Sequence, residues 1–184
     1  QQNYIQTQTP KLKLKFIDVE QDFKKDNIDC ASGVPNFSMG YRNMCNFWFV
    51  GFWKYTKEYN KILRIDEDCF YYNDHAKVFD LLDNYVAVYG KTTKDREFVT
   101  MGLNKFTLDF LKKNKSEFVN KNSKLPSGPY TNVIGLNINE LRKNKLLNNY
   151  INAISLSNNI YIYRWGDLPL WGEVLFYMYN KSKY

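Results

Sequence analysis

Hydrophobic patterning along this chain switches repeatedly between strand-like alternation and helix-like spacings of three and four, which predicts an α/β fold: one mostly parallel or mixed sheet flanked by helices. Composition agrees with a single folded domain. The 184 residues are 44% hydrophobic, 24% charged and 17% aromatic, and no apolar run reaches the length a membrane span needs. A third observation concerns acids: Asp66, Glu67 and Asp68 follow one expected strand and Asp167 another. In open α/β sheets ligands bind beyond the carboxyl ends of the strands.

Residues 1–37 read as an amino-terminal strand with an irregular segment, and 38–184 as the core. Leu12, Leu14 and Phe16 alternate with Lys11, Lys13 and Lys15 and run into Ile17 and Val19, so a strand with one solvated lysine face is expected. From Met39, the residues Tyr41, Met44, Cys45, Trp48, Phe52 and Tyr55 recur at threes and fours, which predicts a helix capped by Ser38. A short strand follows at 61–65, a helix at 76–82 and a strand at 85–89 that Gly90 closes. Phe106, Phe110 and Leu111 carry a helix over 103–119, and the Ser, Pro and Gly content of 121–129 marks a loop. A strand is expected at 132–136. Asn137 with Glu140 three residues on forms a capping-box-like start for a helix to about Ile154. A last strand at 160–163 leads into Arg164-Trp165-Gly166-Asp167-Leu168-Pro169 and an apolar helix.

The net charge of +7 and pI near 9.1 favour anionic partners, but the lysines are scattered among asparagines rather than massed in one block. A phosphate-bearing small molecule suits that charge, and no nucleic-acid partner is expected. Most of the 15 tyrosines, 13 phenylalanines and 4 tryptophans read as core, with stacking platforms for sugars or bases as their other use. Cys30, Cys45 and Cys69 lack CxxC spacing and His75 is the single histidine, which excludes a zinc site of the usual kind. His75 reads as a surface or partly buried residue. The polar stretch from Gln1 to Thr9 has no apolar signal centre. Beginning at Gln1 rather than Met, the sequence reads as a processed end or an excised fragment, with localisation left open.

Alternate residues of an extended backbone face the same way, so Asp66 and Asp68 would present two carboxylates to one side. Like charges that close repel unless a cation offsets them, and hard oxygen donors suit manganese or magnesium beside a substrate diphosphate. A solvated acidic turn accounts for the same residues. Asp167 precedes Leu168 and Pro169 as an N-cap would. Beside it, Arg164, Trp165 and Gly166 add a guanidinium and an indole, a combination suited to sugar hydroxyls.

Taken together, several segments resemble one family, the fungal Golgi α-1,2-mannosyltransferases of the KRE2/MNT1 type. Gly40-Tyr41-Arg42-Asn43-Met44-Cys45-Asn46-Phe47 resembles the family's S-Y-R-x-M-C-R-F helix, and Leu63-Arg64-Ile65-Asp66-Glu67-Asp68 its W-R-V-E-P-x segment. Val88-Tyr89-Gly90 is similar to its Y-G-F strand, and Phe110-Leu111-Lys112-Lys113-Asn114 to its long helix. Tyr163-Arg164-Trp165-Gly166-Asp167-Leu168-Pro169 resembles its E-R-W-G-D-A-P motif. The likeness covers roughly residues 38–178, in order and in spacing.

The resemblance implies a GT-A fold, a Rossmann-related mixed sheet flanked by helices. It further implies a GDP-mannose donor, a glycan or glycoprotein acceptor, manganese, retention of anomeric configuration, and a Golgi lumen location with the anchor missing from this chain. It places Tyr41 near the reacting sugar and Asp167 on the acceptor side as catalytic residues, and Asp66, with Asp68 beside it, on the metal. Arg42 and Arg64 would hold phosphates or orient the acids, ordinary ion pairing being equally consistent; Asn132, Arg164, Trp165 and Gly166 complete the substrate-binding set. There are departures. Ile134 stands where the family has a glutamate proposed as nucleophile, which favours a front-face route over a covalent intermediate. Trp171 replaces a histidine, and a first nucleotide-binding strand and a histidine-bearing tail have no counterpart, so the fold would be incomplete at both ends. A metal-dependent hexosyltransferase is the leading expectation; the alternative is a non-catalytic carbohydrate-binding or structural domain derived from such an enzyme.

Overall fold

The computed structural model describes residues 2–72, 74–115 and 126–184. In chain order it runs α1 (Gln2–Gln8), α2 (Met39–Asn46), β1 (Lys61–Ile65), α3 (His75–Leu81), β2 (Ala87–Tyr89), β3 (Thr92–Thr93), α4 (Leu103–Lys113), β4 (Gly128–Pro129), β5 (Val133–Asn137), α5 (Ile138–Lys143), α6 (Lys145–Ser157), α7 (Asn159–Ile162) and α8 (Asp167–Met178). Two small sheets lie among helices, so the α/β class stands. The pairing direction does not: the three-stranded sheet has the order β1-β5-β2 with both pairs antiparallel, and β3 pairs with β4 antiparallel. Alternation of element types suggests parallel crossovers, but direction is set by which edges meet after packing.

The expected helix over 39–55 forms as one continuous run that changes pitch. α2 passes into a π turn at Phe47–Gly51 and a 3-10 turn at Phe52–Tyr55. The Ser38 hydroxyl accepts from Tyr41 N at 3.3 Å, satisfying one of the orphan donors of the first turn. Phe49, fully buried, meets the rings of Tyr150 and Trp171 edge-on. The helix expected from Asn137 also forms but breaks in two. Asn137 accepts from Glu140 N and Asn144 from Leu147 N, so each half has its own cap.

α8 is apolar on nearly every side, and 10 of its 12 residues are buried, the pattern of a central helix. β4 lies directly upon it. A Cβ on Gly172 would stand 2.8 Å from Gly128 Cα, and one on Gly128 2.0 Å from the Leu168 carbonyl oxygen; only glycine permits that approach. The β3–β4 ribbon is thereby held over the first turn of α8.

Two expected strands are absent. Residues 12–19 pair with nothing, and Leu12, Phe16 and Ile17 are exposed, because alternation makes a strand only where a sheet edge receives it. Residues 160–162 fall in α7 instead, with Tyr163 its C-cap: the chain leaves α6 through Asn158 at φ +57° and turns straight into another helical turn that buries Ile160 and Tyr161. A four-residue apolar run does not by itself distinguish the two states. α1, which buries nothing, had no sequence signal. The strand expected at 85–89 shortens to β2, and the helix expected to residue 119 is described to Lys113. Most of the expected 121–129 loop lies outside the described residues, and its end is β4. All three cysteines are free, and among the described residues no helix is long and apolar enough to cross a membrane.

Candidate functional site

The strand β1 ends with Arg64 and Ile65, and Asp66 follows. Residues two apart on an extended chain share a face, so the alternation that aligns Asp66 with Asp68 also brings in Arg64. Arg64 Nε donates to Asp66 Oδ1 at 2.6 Å and Nη2 to Oδ2 at 3.0 Å, while Nη1 donates to Asp167 Oδ2 at 2.5 Å. Its guanidinium also lies 4.2 Å from the centre of the Trp48 ring. Burial opposes the charge on Arg64, but Asp167 and Asp66 outweigh it and hold its pKa above the ordinary arginine value. One guanidinium thus joins the end of β1 to the first turn of α8.

A second arginine stands across a polar cleft of about 510 Å³. Arg164 has φ +56°, a left-handed conformation that costs energy for a side-chain-bearing residue and is concentrated at functional sites. Its Nη1 donates to Asp95 Oδ2 at 2.7 Å and its Nη2 to the Tyr41 hydroxyl. The guanidinium sits 4.7 Å from the Phe37 ring centre and 4.8 Å from that of Tyr41. Burial and the Cys45 thiol push the Tyr41 phenol above its usual pKa, against the pull of Arg164.

Eight of the ten residues singled out in the sequence line this cleft: Tyr41, Arg64, Asp66, Asp68, Asn132, Arg164, Gly166 and Asp167. Asn132 is held there because its carbonyl accepts from Asp66 N at 2.8 Å. The other two are elsewhere. Arg42 is buried and donates from Nη1 to the carbonyls of Ile28 and Tyr161 at 2.7 and 2.6 Å, so neither a phosphate nor an acid is its partner. Trp165 is core, its indole donating to the Met101 carbonyl and its ring edge-on to Phe106. The cap reading of Asp167 is also corrected. Gly166 is the N-cap and Asp167 the first helical residue; its carboxylate faces Arg64, in a first turn where the helix dipole favours an acid.

Cleft residues without a sequence signal include Thr93, Lys94, Asp95, Tyr130 and Thr131. They come from the β3–β4 ribbon and its flanks, and no motif spacing marks them. Lys91 lies over the Tyr130 ring at 4.8 Å. Ile134 and Trp171, where the resembled family has a glutamate and a histidine, are buried apolar side chains. Ile134 sits in β5 opposite Arg64 and Tyr89, and Trp171 packs on Phe49 and Trp53.

The fit to a divalent ion can be tested on these residues. Both Asp66 oxygens are engaged by Arg64, Asp95 and Asp167 each have an arginine, and Asp68 alone lacks one. Among the described residues no group of three or more His, Cys, Asp or Glu side chains is placed to hold a metal. Asp66 is committed to Arg64 in this arrangement and Asp68 is the carboxylate without an arginine, so an ion here would need further oxygen donors such as those of a substrate diphosphate.

The fold, with its antiparallel sheet, buried α8 and cleft at the first turn of that helix, is of the GT-A type by its likeness to known structures. Two solved structures share it. Core-mannan synthase A from Aspergillus fumigatus, in its Mn/GDP form, superposes with a TM-score of 0.67 at 17% identity, over 79% of this chain and 45% of that one. The mannosyltransferase Ktr4p from S. cerevisiae in complex with GDP gives 0.64 at 18% identity, over 79% and 43%. The chain thus spans less than half the length of either. No protein-family model matches it, and no curated protein matches it in sequence.

Proposed function

We propose that this protein is a glycosyltransferase that moves a hexose, mannose foremost, from a nucleotide sugar such as GDP-mannose to a glycan or glycoprotein hydroxyl, with retention. One observation carries the reading. Segments far apart in sequence, each resembling a mannosyltransferase motif, converge on a single polar cleft in a fold shared with two GDP-bound structures.

In this reading Arg164 and Lys94 attract the diphosphate, and Tyr41, hydrogen-bonded to Arg164, borders the sugar. Asp167, fixed by Arg64, accepts a hydrogen bond from the attacking hydroxyl and orients it. With Ile134 unable to attack, the acceptor oxygen bonds to the anomeric carbon on the face the diphosphate leaves. The bond from that carbon to the phosphate oxygen breaks, and the departing oxygen takes the hydroxyl proton. No step is assigned to a cation.

A second reading is favoured by the apolar cores at Ile134 and Trp171: a non-catalytic carbohydrate-binding domain on the same scaffold. Transfer of mannose from GDP-mannose to methyl α-mannoside, with GDP binding measured with and without manganese, separates the two. The transferase reading expects GDP binding and turnover that falls about 10²-fold or more in Asp167→Asn. GDP binding with no turnover across donors selects the binding domain.

A further inference from the structure

Behind Asp95 lies a second, smaller pocket of about 150 Å³, space for about five waters at their liquid volume. Its walls include Lys94, Asp95, Thr100, Asn104 and Glu173, and it shares Thr93, Lys94, Asp95 and Leu168 with the main cleft. Glu173 is the unusual member. It sits in the middle of α8, 4% exposed, where a carboxylate is costly without a partner. The Asn104 amide is 3.2 Å from each of its oxygens and 2.9 Å from the Tyr177 hydroxyl, and no cation is among its electrostatic partners. A buried acid that a leucine could replace, but that instead opens on a cavity beside the cleft, calls for a ligand that donates hydrogen bonds.

The lining selects among such ligands. A metal is disfavoured because these acids do not group as a ligand set and an ammonium, Lys94, shares the walls. A lining that mixes carboxylate, amide and hydroxyl groups with Leu103, Leu168 and Pro169 matches a pyranose, which has hydroxyl edges and a C–H face. We propose that this pocket binds one hexose unit, its hydroxyls donating to Glu173 and Thr100 while its ring rests on Leu103 and Leu168. As the acceptor subsite it rests on the transferase reading, since the pocket shares Asp95 and Leu168 with the cleft that Asp167 lines.

Charge makes the proposal testable. Burial raises the Glu173 carboxyl to about 7, partly offset by Asn104 and Thr107; the titratable groups around it are Tyr150 and Tyr177, with Lys94, Asp95 and Glu97 on the pocket walls. An ionised carboxylate accepts the stronger hydrogen bond, so a hydroxyl-donating ligand binds more tightly as pH rises through about 7.

The experiment titrates the full chain with methyl α-D-mannopyranoside by calorimetry at pH 6 and pH 8, alongside GDP. Affinity for the mannoside is expected to rise about tenfold between the two pH values. Glu173→Gln should weaken it about tenfold at pH 8 and flatten the pH response, with GDP affinity unchanged. Thr100→Val, which leaves Glu173 and its packing intact, should weaken binding about threefold and keep the pH slope. Absence of saturable mannoside binding, or Glu173→Gln with wild-type affinity and slope, overturns the proposal. Mannoside binding that depends on Glu173 while GDP does not bind upholds the pocket and sinks the transferase reading instead.

Discussion

Arg42 and Arg64 are buried to nearly the same degree, 3% and 7% exposed, and both stand in motifs resembling the same family, yet they serve different ends. Arg42 binds backbone carbonyls of Ile28 and Tyr161 and ties the long amino-terminal segment and α7 to α2. Arg64 binds Asp66 and Asp167 and assembles one wall of the cleft. A buried guanidinium needs acceptors, but carbonyls leave it a structural clamp, whereas carboxylates arranged at a cavity create a preorganised polar surface. Glu173 is the third case, a buried carboxyl held by the Asn104 amide with no arginine or lysine paired to it among the described residues.

The largest effect should come from breaking the Arg64 wall. Arg64→Met strands Asp167 as an unpaired buried acid, and a loss of about 3–5 kcal/mol is expected in urea denaturation. A loss under about 1 kcal/mol would show that water, not Arg64, compensates Asp167 and would erase the contrast with Arg42.

Next comes Glu173. Its folded pKa of about 7 against a reference of 4.5 means the folded state holds a proton that the unfolded chain releases between those values. Stability therefore falls as pH rises from about 4.5 to 7 and levels off above, by about 3 kcal/mol for this group. Glu173→Gln should remove that slope, read from denaturation midpoints at pH 5 and pH 8. An unchanged slope would mean that Glu173 is ionised in the fold.

Arg42→Met leaves two carbonyls without their donor, one of them buried, and should cost about 2 kcal/mol while GDP affinity of the folded protein stays as in the wild type. Loss of GDP binding at matched stability would move Arg42 into the site and break the comparison from the other side. The smallest effect is expected at Asp95, whose pair with Arg164 is more open to water, with its side chain 23% exposed. Asp95→Asn should lower stability by under about 1 kcal/mol, a shift of a few degrees at most in thermal melting.

What the sequence by itself determined about this protein is local. Ser38 as a cap, the three-four spacing through Tyr55, the strand Lys61–Ile65 and the Asn137 cap with Glu140 all depend on residues within a few positions of one another, where backbone geometry and side-chain spacing decide the outcome. The acids at the end of β1 were legible for the same reason. Only the tertiary structure decided that strand 12–19 has no edge to join, that 160–162 turns as a helix after the left-handed Asn158, and that the sheet pairs antiparallel. It also decided the charges. Arg64 and Asp167 are 103 residues apart and Arg164 and Asp95 are 69 apart, while Arg42 meets carbonyls that no side-chain motif encodes. The partner of a buried charge is chosen by which surfaces pack together, and that choice is made by the core, through contacts such as Gly128 on Gly172, rather than by the residues beside the charge in sequence.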